Sequence, residues 1–188
     1  MIPAEEQARA DLYGLLARLF YAPPDAALLR SIAQGSGEGE LGAAWAELAQ
    51  AAAQADVEAV RDEYETTFIG TGKSPVTLYT TAYVIKHSAD TPLVALRGEL
   101  ASLGLARREE VREPEDHIAA LCDVMRHLIA MQQTPLEAQR AFFDRWIRPA
   151  AEPLCAAIER SDKPRFYKRV GALAKCFFAL EQTAFEML

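Results

Sequence analysis

The stretch EPEDHIAALCDVMRHL, Glu113 to Leu128, decides how the chain is read. Pro114 suits the first turn of a helix, where its missing N–H costs nothing. Glu115 and Asp116 then stand near the positive end of the helix dipole, which favours carboxylates. Behind them Ile118, Leu121, Cys122, Met125 and Ile129 fall on one face at 100° per residue, the pattern of a core-facing helix. His117 lies at the edge of that face, near Val124 and Leu128. Helix stability alone therefore accounts for most of the stretch, and Asp116–His117 is the part left over.

An acid beside a histidine raises catalysis and metal binding. Helix geometry removes a local zinc site. His117 and Cys122 point about 140° apart, and His117 and His127 are separated by roughly 15 Å of rise. A nucleophile–His–acid set drawn from elsewhere stays open, with Ser74, Ser88 and the cysteines as sources, although none sits in a nucleophile motif. GTGKS, Gly70 to Ser74, lacks the spacing of a phosphate-binding loop and is read as a chance match. No cofactor and no metal is assigned.

The same helical period extends outward. Leu12, Leu15, Leu16, Leu19 and Phe20 form a stripe that Ala22-Pro23-Pro24 ends. Asp25 caps a short helix carrying Leu28, Leu29 and Ile32, and Asp56 caps another carrying Val57, Val60, Tyr64 and Phe68. GSGEGE, Gly35 to Glu40, is a flexible loop, after which Leu41, Trp45 and Leu48 share a face. Thr91-Pro92 starts a helix with Leu93, Leu96, Leu100 and Leu103 that Gly104 closes. Thr134-Pro135 repeats that device before Phe142, Phe143, Trp146 and Ile147. Pro149 and Pro153 interrupt ahead of Leu154 and Ile158. Ser161-Asp162 and Pro164 precede a last helix with Phe166, Val170, Leu173, Phe177 and Phe178. FIGTGKSPVTLYTTAY, Phe68 to Tyr83, breaks the period and reads as an ordered loop with some strand character. There is no repeat and no βαβ alternation. The expectation is one all-α domain over residues 1–188, a bundle of many short helices.

Composition bounds the partners. The chain has 188 residues, 51% of them apolar, with 20 basic against 27 acidic side chains and a net charge of −7. That balance argues against nucleic acid and suits a positively charged partner. Three widely spaced cysteines, Cys122, Cys155 and Cys176, fit reduced thiols in the cytoplasm. The acidic, amphipathic start is unlike a signal peptide, and no apolar run is long enough for stable membrane insertion.

Two segments together resemble the TorD/DmsD/NarJ family of molybdoenzyme maturation chaperones. One is Tyr64-Glu65-Thr66-Thr67-Phe68-Ile69-Gly70-Thr71-Gly72, continuing through Pro75 and Tyr79 to Tyr83. It is similar to the family's aromatic helix end, Phe-x-Gly, proline and aromatic-rich loop. The other is Glu113-Pro114-Glu115-Asp116-His117-Ile118, running on to Met125, similar to the family's Glu-Pro-x-Asp-His segment. Phe142 to Trp146 and Phe166-Tyr167 resemble weaker family features. The sequence departs from the pattern at Leu121, Asp123 and Val124, and in TLYTT, Thr77 to Thr81.

The resemblance implies an all-helical, cytoplasmic, non-catalytic chaperone. Its partner would be the apo form of a molybdopterin-containing oxidoreductase, held through an N-terminal leader that is often a twin-arginine signal. It also implies a peptide groove between the Phe68–Tyr83 loop and the Asp116 helix. In that reading Asp116, and more weakly Glu115, attract basic residues. His117 bonds the peptide or the loop, and Tyr64, Phe68, Tyr79 and Tyr83 supply contact area. Gly70 and Pro75 shape the loop. The protein would be a monomer or a domain-swapped oligomer. Two other readings stand beside this one: a helical assembly module with an unrelated partner, and a small enzyme using Asp116 and His117 as an acid–base pair.

Overall fold

The computed structural model describes residues 2–70, 74–84, 91–162 and 165–187. Thr71, Gly72 and Lys73 of the GTGKS segment, Ser88 and Pro164 lie outside these. Ten α-helices run in order among the described residues: α1 Ala4–Tyr21, α2 Ala26–Gln34, α3 Gly39–Ala53, α4 Val57–Tyr64, α5 Thr81–Val84, α6 Pro92–Ser102, α7 Ile118–Ala130, α8 Leu136–Phe142, α9 Arg148–Arg160 and α10 Phe166–Glu186. Two π-helical turns, Glu65–Ile69 and Phe143–Ile147, extend α4 and join α8 to α9. The all-α class is as expected, and the strand character of the Phe68–Tyr83 segment reduces to one bridge between Tyr79 and His117.

Local chemistry sets several helix ends. Asp25 accepts from the Leu28 N–H at 2.7 Å, and Asp56 from the Ala59 N–H at 2.9 Å. Gly104 ends α6 with a φ of +72°, a conformation glycine adopts without strain. Three expectations are corrected. Pro114 precedes α7 instead of opening it: Pro114–His117 is a turn, and His117 is the N-cap. Thr134 does not cap α8; the residue flanking that helix is Pro135. Pro149 and Pro153 do not interrupt, because α9 contains both. An interior proline costs about 3 kcal/mol. Here α9 offsets it by burying Ala150, Ala151, Leu154, Cys155 and Ile158.

One packed pair and one packed trio hold the fold. α1 lies along α7, and α10 lies between α3 and α9. Gly171 lets Ile158 of α9 approach α10; a Cβ there would sit 3.1 Å from the Ile158 Cγ2. Arg9 and Tyr13 of α1 converge on the buried Glu181 of α10. The guanidinium bonds both carboxylate oxygens, at 2.7 and 2.8 Å, and the phenol bonds one at 2.9 Å. These contacts satisfy a carboxylate that would be costly to bury alone.

The end of α1 sits in an aromatic nest. Phe20, Tyr64, Phe68 and Tyr167 pack with ring centroids 5.0–6.3 Å apart. The Tyr64 hydroxyl donates to the carbonyls of Phe20 and Tyr21, and Tyr167 donates to that of Leu19. Those are last-turn carbonyls with no partner inside their own helix. Glu63 in turn accepts from the N–H groups of Phe166 and Tyr167, capping α10 from α4.

Candidate functional site

The Phe68–Tyr83 loop is tied down at both ends. In the π-helical turn the Gly70 N–H reaches the Glu65 carbonyl at 2.7 Å. Gly70 has a φ of +63°, so its role is backbone shape. Pro75 is exposed at a bend. Val76 and Leu78 plunge into the core, and the Val76 N–H donates to the Thr67 carbonyl. The Tyr83 hydroxyl donates to the Thr77 carbonyl at 2.8 Å, bracing the loop. Burial first, with the Cys155 thiol adding to it, pushes that phenol up to about 12.

The loop then docks on the start of α7. The Ile118 N–H donates to the Leu78 carbonyl at 2.8 Å, and the Thr80 N–H to the Asp116 carbonyl at 2.9 Å. The Thr80 and Thr81 hydroxyls also donate to Asp116, the first to its carbonyl and the second to its carboxylate. Asp116 is 4% exposed and His117 5%. The expected groove between loop and helix is therefore closed by direct contact, and Asp116 serves as the tie.

His117 Nδ1 accepts from the Ala119 N–H at 3.2 Å. That leaves the proton of the neutral ring on Nε2. Burial pushes the imidazole below the usual histidine range, against the pull of Glu113 and Asp116. The two side chains turn to different partners, so the structure contains no Asp116–His117 hydrogen bond of the kind an acid–base pair uses.

The remaining candidates separate. Tyr64 and Phe68 are each 6% exposed inside the aromatic nest, so their contacts are with the core. Tyr79 is 37% exposed, its ring edge-on to His117 at 5.4 Å. The Tyr79 hydroxyl donates to Glu113 Oε2 at 2.6 Å, and that bond, with burial, pushes the phenol up to about 12. Glu115 pairs with Arg97 at 3.0 Å and Arg107 at 3.5 Å. Its burial favours the neutral acid, but a backbone N–H and the two guanidiniums outweigh this and hold it below the usual carboxylate range.

A cleft of about 1160 Å³ is lined in part by His117. Its walls include Leu12 and Leu15 of α1, Ile32 of α2, Trp45 of α3 and Val124 of α7, with Glu113 and His117 also lining it. Glu113 and Tyr21, which also lines the cleft, were not singled out from sequence; the signal available was Glu113's place at the head of the Glu-Pro-x-Asp-His segment.

These features define an all-helical protein whose loop-braced helix start stands beside a large, mainly apolar cleft. The chain belongs to the nitrate reductase delta subunit family, whose model matches residues 36–156. Both segments that carried the sequence resemblance fall inside that match. The fold is shared with a protein of Archaeoglobus fulgidus described as a redox enzyme maturation protein, at a TM-score of 0.60 and 20% identity over 91% of this chain and 93% of that one. No curated protein matches the chain in sequence. Among the described residues no helix is long and apolar enough to cross a membrane.

Proposed function

We propose that the protein is a cytoplasmic, non-catalytic maturation chaperone. It binds the N-terminal segment of a molybdoenzyme catalytic subunit, in many clients a twin-arginine leader. It holds the apoenzyme until the molybdopterin cofactor is inserted. The observation that carries this reading is the cleft of about 1160 Å³ lined by Glu113, Glu115 and His117 of the segment that resembles the chaperones' Glu-Pro-x-Asp-His stretch. A leader presents basic residues and then an apolar run. The apolar walls match the second part; the charged rim carries both carboxylates and arginines, and Glu113 is a carboxylate on it that pairs with no cation among the described residues.

In this reading the cleft walls, Leu12, Leu15, Trp45 and Val124, take the apolar run. His117 stands at the edge as a neutral hydrogen-bond donor. Asp116, Gly70, Pro75 and Tyr83 hold the loop that fixes His117 and Tyr79, while Tyr64 and Phe68 support it from the core. The test is capture of the chaperone with its client, followed by calorimetric titration of the client's N-terminal peptide against wild type and Val124→Asp. Recovery of a molybdoenzyme subunit, with peptide affinity at least tenfold weaker in the variant and folding retained, is the expected result. Failure to bind any molybdoenzyme leader overturns the function. Binding that ignores Val124→Asp overturns the cleft.

A further inference from the structure

We infer that Glu113, with the Tyr79 ring on it and Tyr21 exposed in the same cleft, forms a guanidinium subsite that reads an arginine of the bound leader. This rests on the leader-binding reading above and assigns the arginine contact within it. The three carboxylates of the Glu113–His117 segment are differently placed. Asp116 is covered and takes the Thr81 hydroxyl. Glu115 is already neutralised by Arg97 and Arg107. Glu113 is half-buried, and its one side-chain bond among the described residues is the neutral Tyr79 hydroxyl. The cleft's own cations do not answer it: Arg107 pairs with Glu115 and Arg126 with Asp123, and no ion pair among the described residues joins Arg18 or Arg108 to Glu113. Burial disfavours the charged form of His117 beside it. A half-buried carboxylate that no cation among the described residues pairs with gains by acquiring one.

The surroundings select the planar cation. Tyr21 is 53% exposed at the end of α1 and lines the same cleft as Glu113 and His117. Tyr79 is held edge-on against His117 with its hydroxyl on Glu113. A guanidinium stacks on phenol faces and offers a carboxylate two parallel N–H donors; an ammonium does neither as well. The Tyr79 hydroxyl is a placeholder: an arriving arginine displaces it from Oε2 and leaves the ring as a wall.

The experiment uses the whole chain and three synthetic acetylated peptides. Each carries an adjacent pair ahead of the same Leu/Ala-rich run: Arg-Arg, Lys-Lys, or the neutral isostere citrulline-citrulline. In wild type, citrulline is expected to weaken binding roughly tenfold, the scale of one hydrogen-bonded charge, with Lys-Lys between. Glu113→Gln should erase that difference while its melting temperature stays near wild type. Tyr79→Phe, which frees Oε2 and keeps the ring, should tighten the Arg-Arg peptide severalfold, an effect a purely structural Tyr79 would not produce. If Glu113→Gln retains the full citrulline penalty, or wild type binds the three peptides equally, the subsite is overturned and leader binding stands. If wild type binds none of them, both readings fall together.

Discussion

Tyr64 precedes the Phe68–Tyr83 loop and Tyr79 lies within it, and each sends its hydroxyl to an acceptor on another segment. The Tyr64 partners are the carbonyls of Phe20 and Tyr21, fixed at the end of a packed helix. The Tyr79 partner is the Glu113 carboxylate beside the cleft. One phenol satisfies two helix-end carbonyls next to the one that Tyr167 serves; the other occupies a charged group that a ligand can claim. Residue type is the same, so the role follows from what the hydroxyl meets. The difference separates a region that sets stability from one that sets recognition.

The hardest blow to this contrast comes from Phe68→Ala. It empties a site packed by Phe20, Tyr64 and Tyr167, and the expected loss is about 3–5 kcal/mol in chemical denaturation. A loss below 1 kcal/mol would show that the aromatic nest is not a stability centre. Asp116→Ala leaves the Thr81 hydroxyl unpartnered and unties the loop, with an expected loss of about 1–3 kcal/mol. If it instead weakens an Arg-Arg peptide without lowering stability, the tie belongs with recognition. Tyr64→Phe strands two helix-end carbonyls and should cost about 1 kcal/mol with peptide affinity unchanged.

A smaller effect comes through pH. Burial holds the folded His117 below its unfolded value near 6.5. The unfolded chain therefore takes up this proton first, and stability falls as pH drops through 6.5 toward the folded value. His117→Asn, which keeps an N-cap acceptor, should flatten that decline between pH 7 and pH 5 in urea titrations. Tyr79→Phe should change stability least, by less than about 0.5 kcal/mol, as expected of an exposed position.

The repeating apolar stripes were legible because helical period and burial coincide. Ile118, Leu121, Cys122, Met125 and Ile129 are all buried, and Asp25 and Asp56 both cap. Stripes do not tell a core from a cleft, however. Leu16, Leu19 and Phe20 enter the core, whereas Leu12 and Leu15 of the same stripe line the cleft, as do Leu41 and Trp45 beside the buried Leu48. The start of α7 was misplaced because its backbone partners, Leu78 and Thr80, come from a distant segment. The weight given to Asp116 over Glu113 had the same cause: the Thr81 hydroxyl that occupies Asp116 is fixed only by the fold.

The Tyr13–Glu181 bond spans 168 positions of the chain. A ribosome adds roughly 5–20 residues per second, so α1 emerges on the order of ten seconds to half a minute before the carboxylate that completes it. Throughout that interval Arg9 and Tyr13 lack their α10 partner, and the last carbonyls of α1 still await Tyr167. A protein proposed to shelter another chain's unfinished N-terminal segment is itself made with α1 waiting for α10.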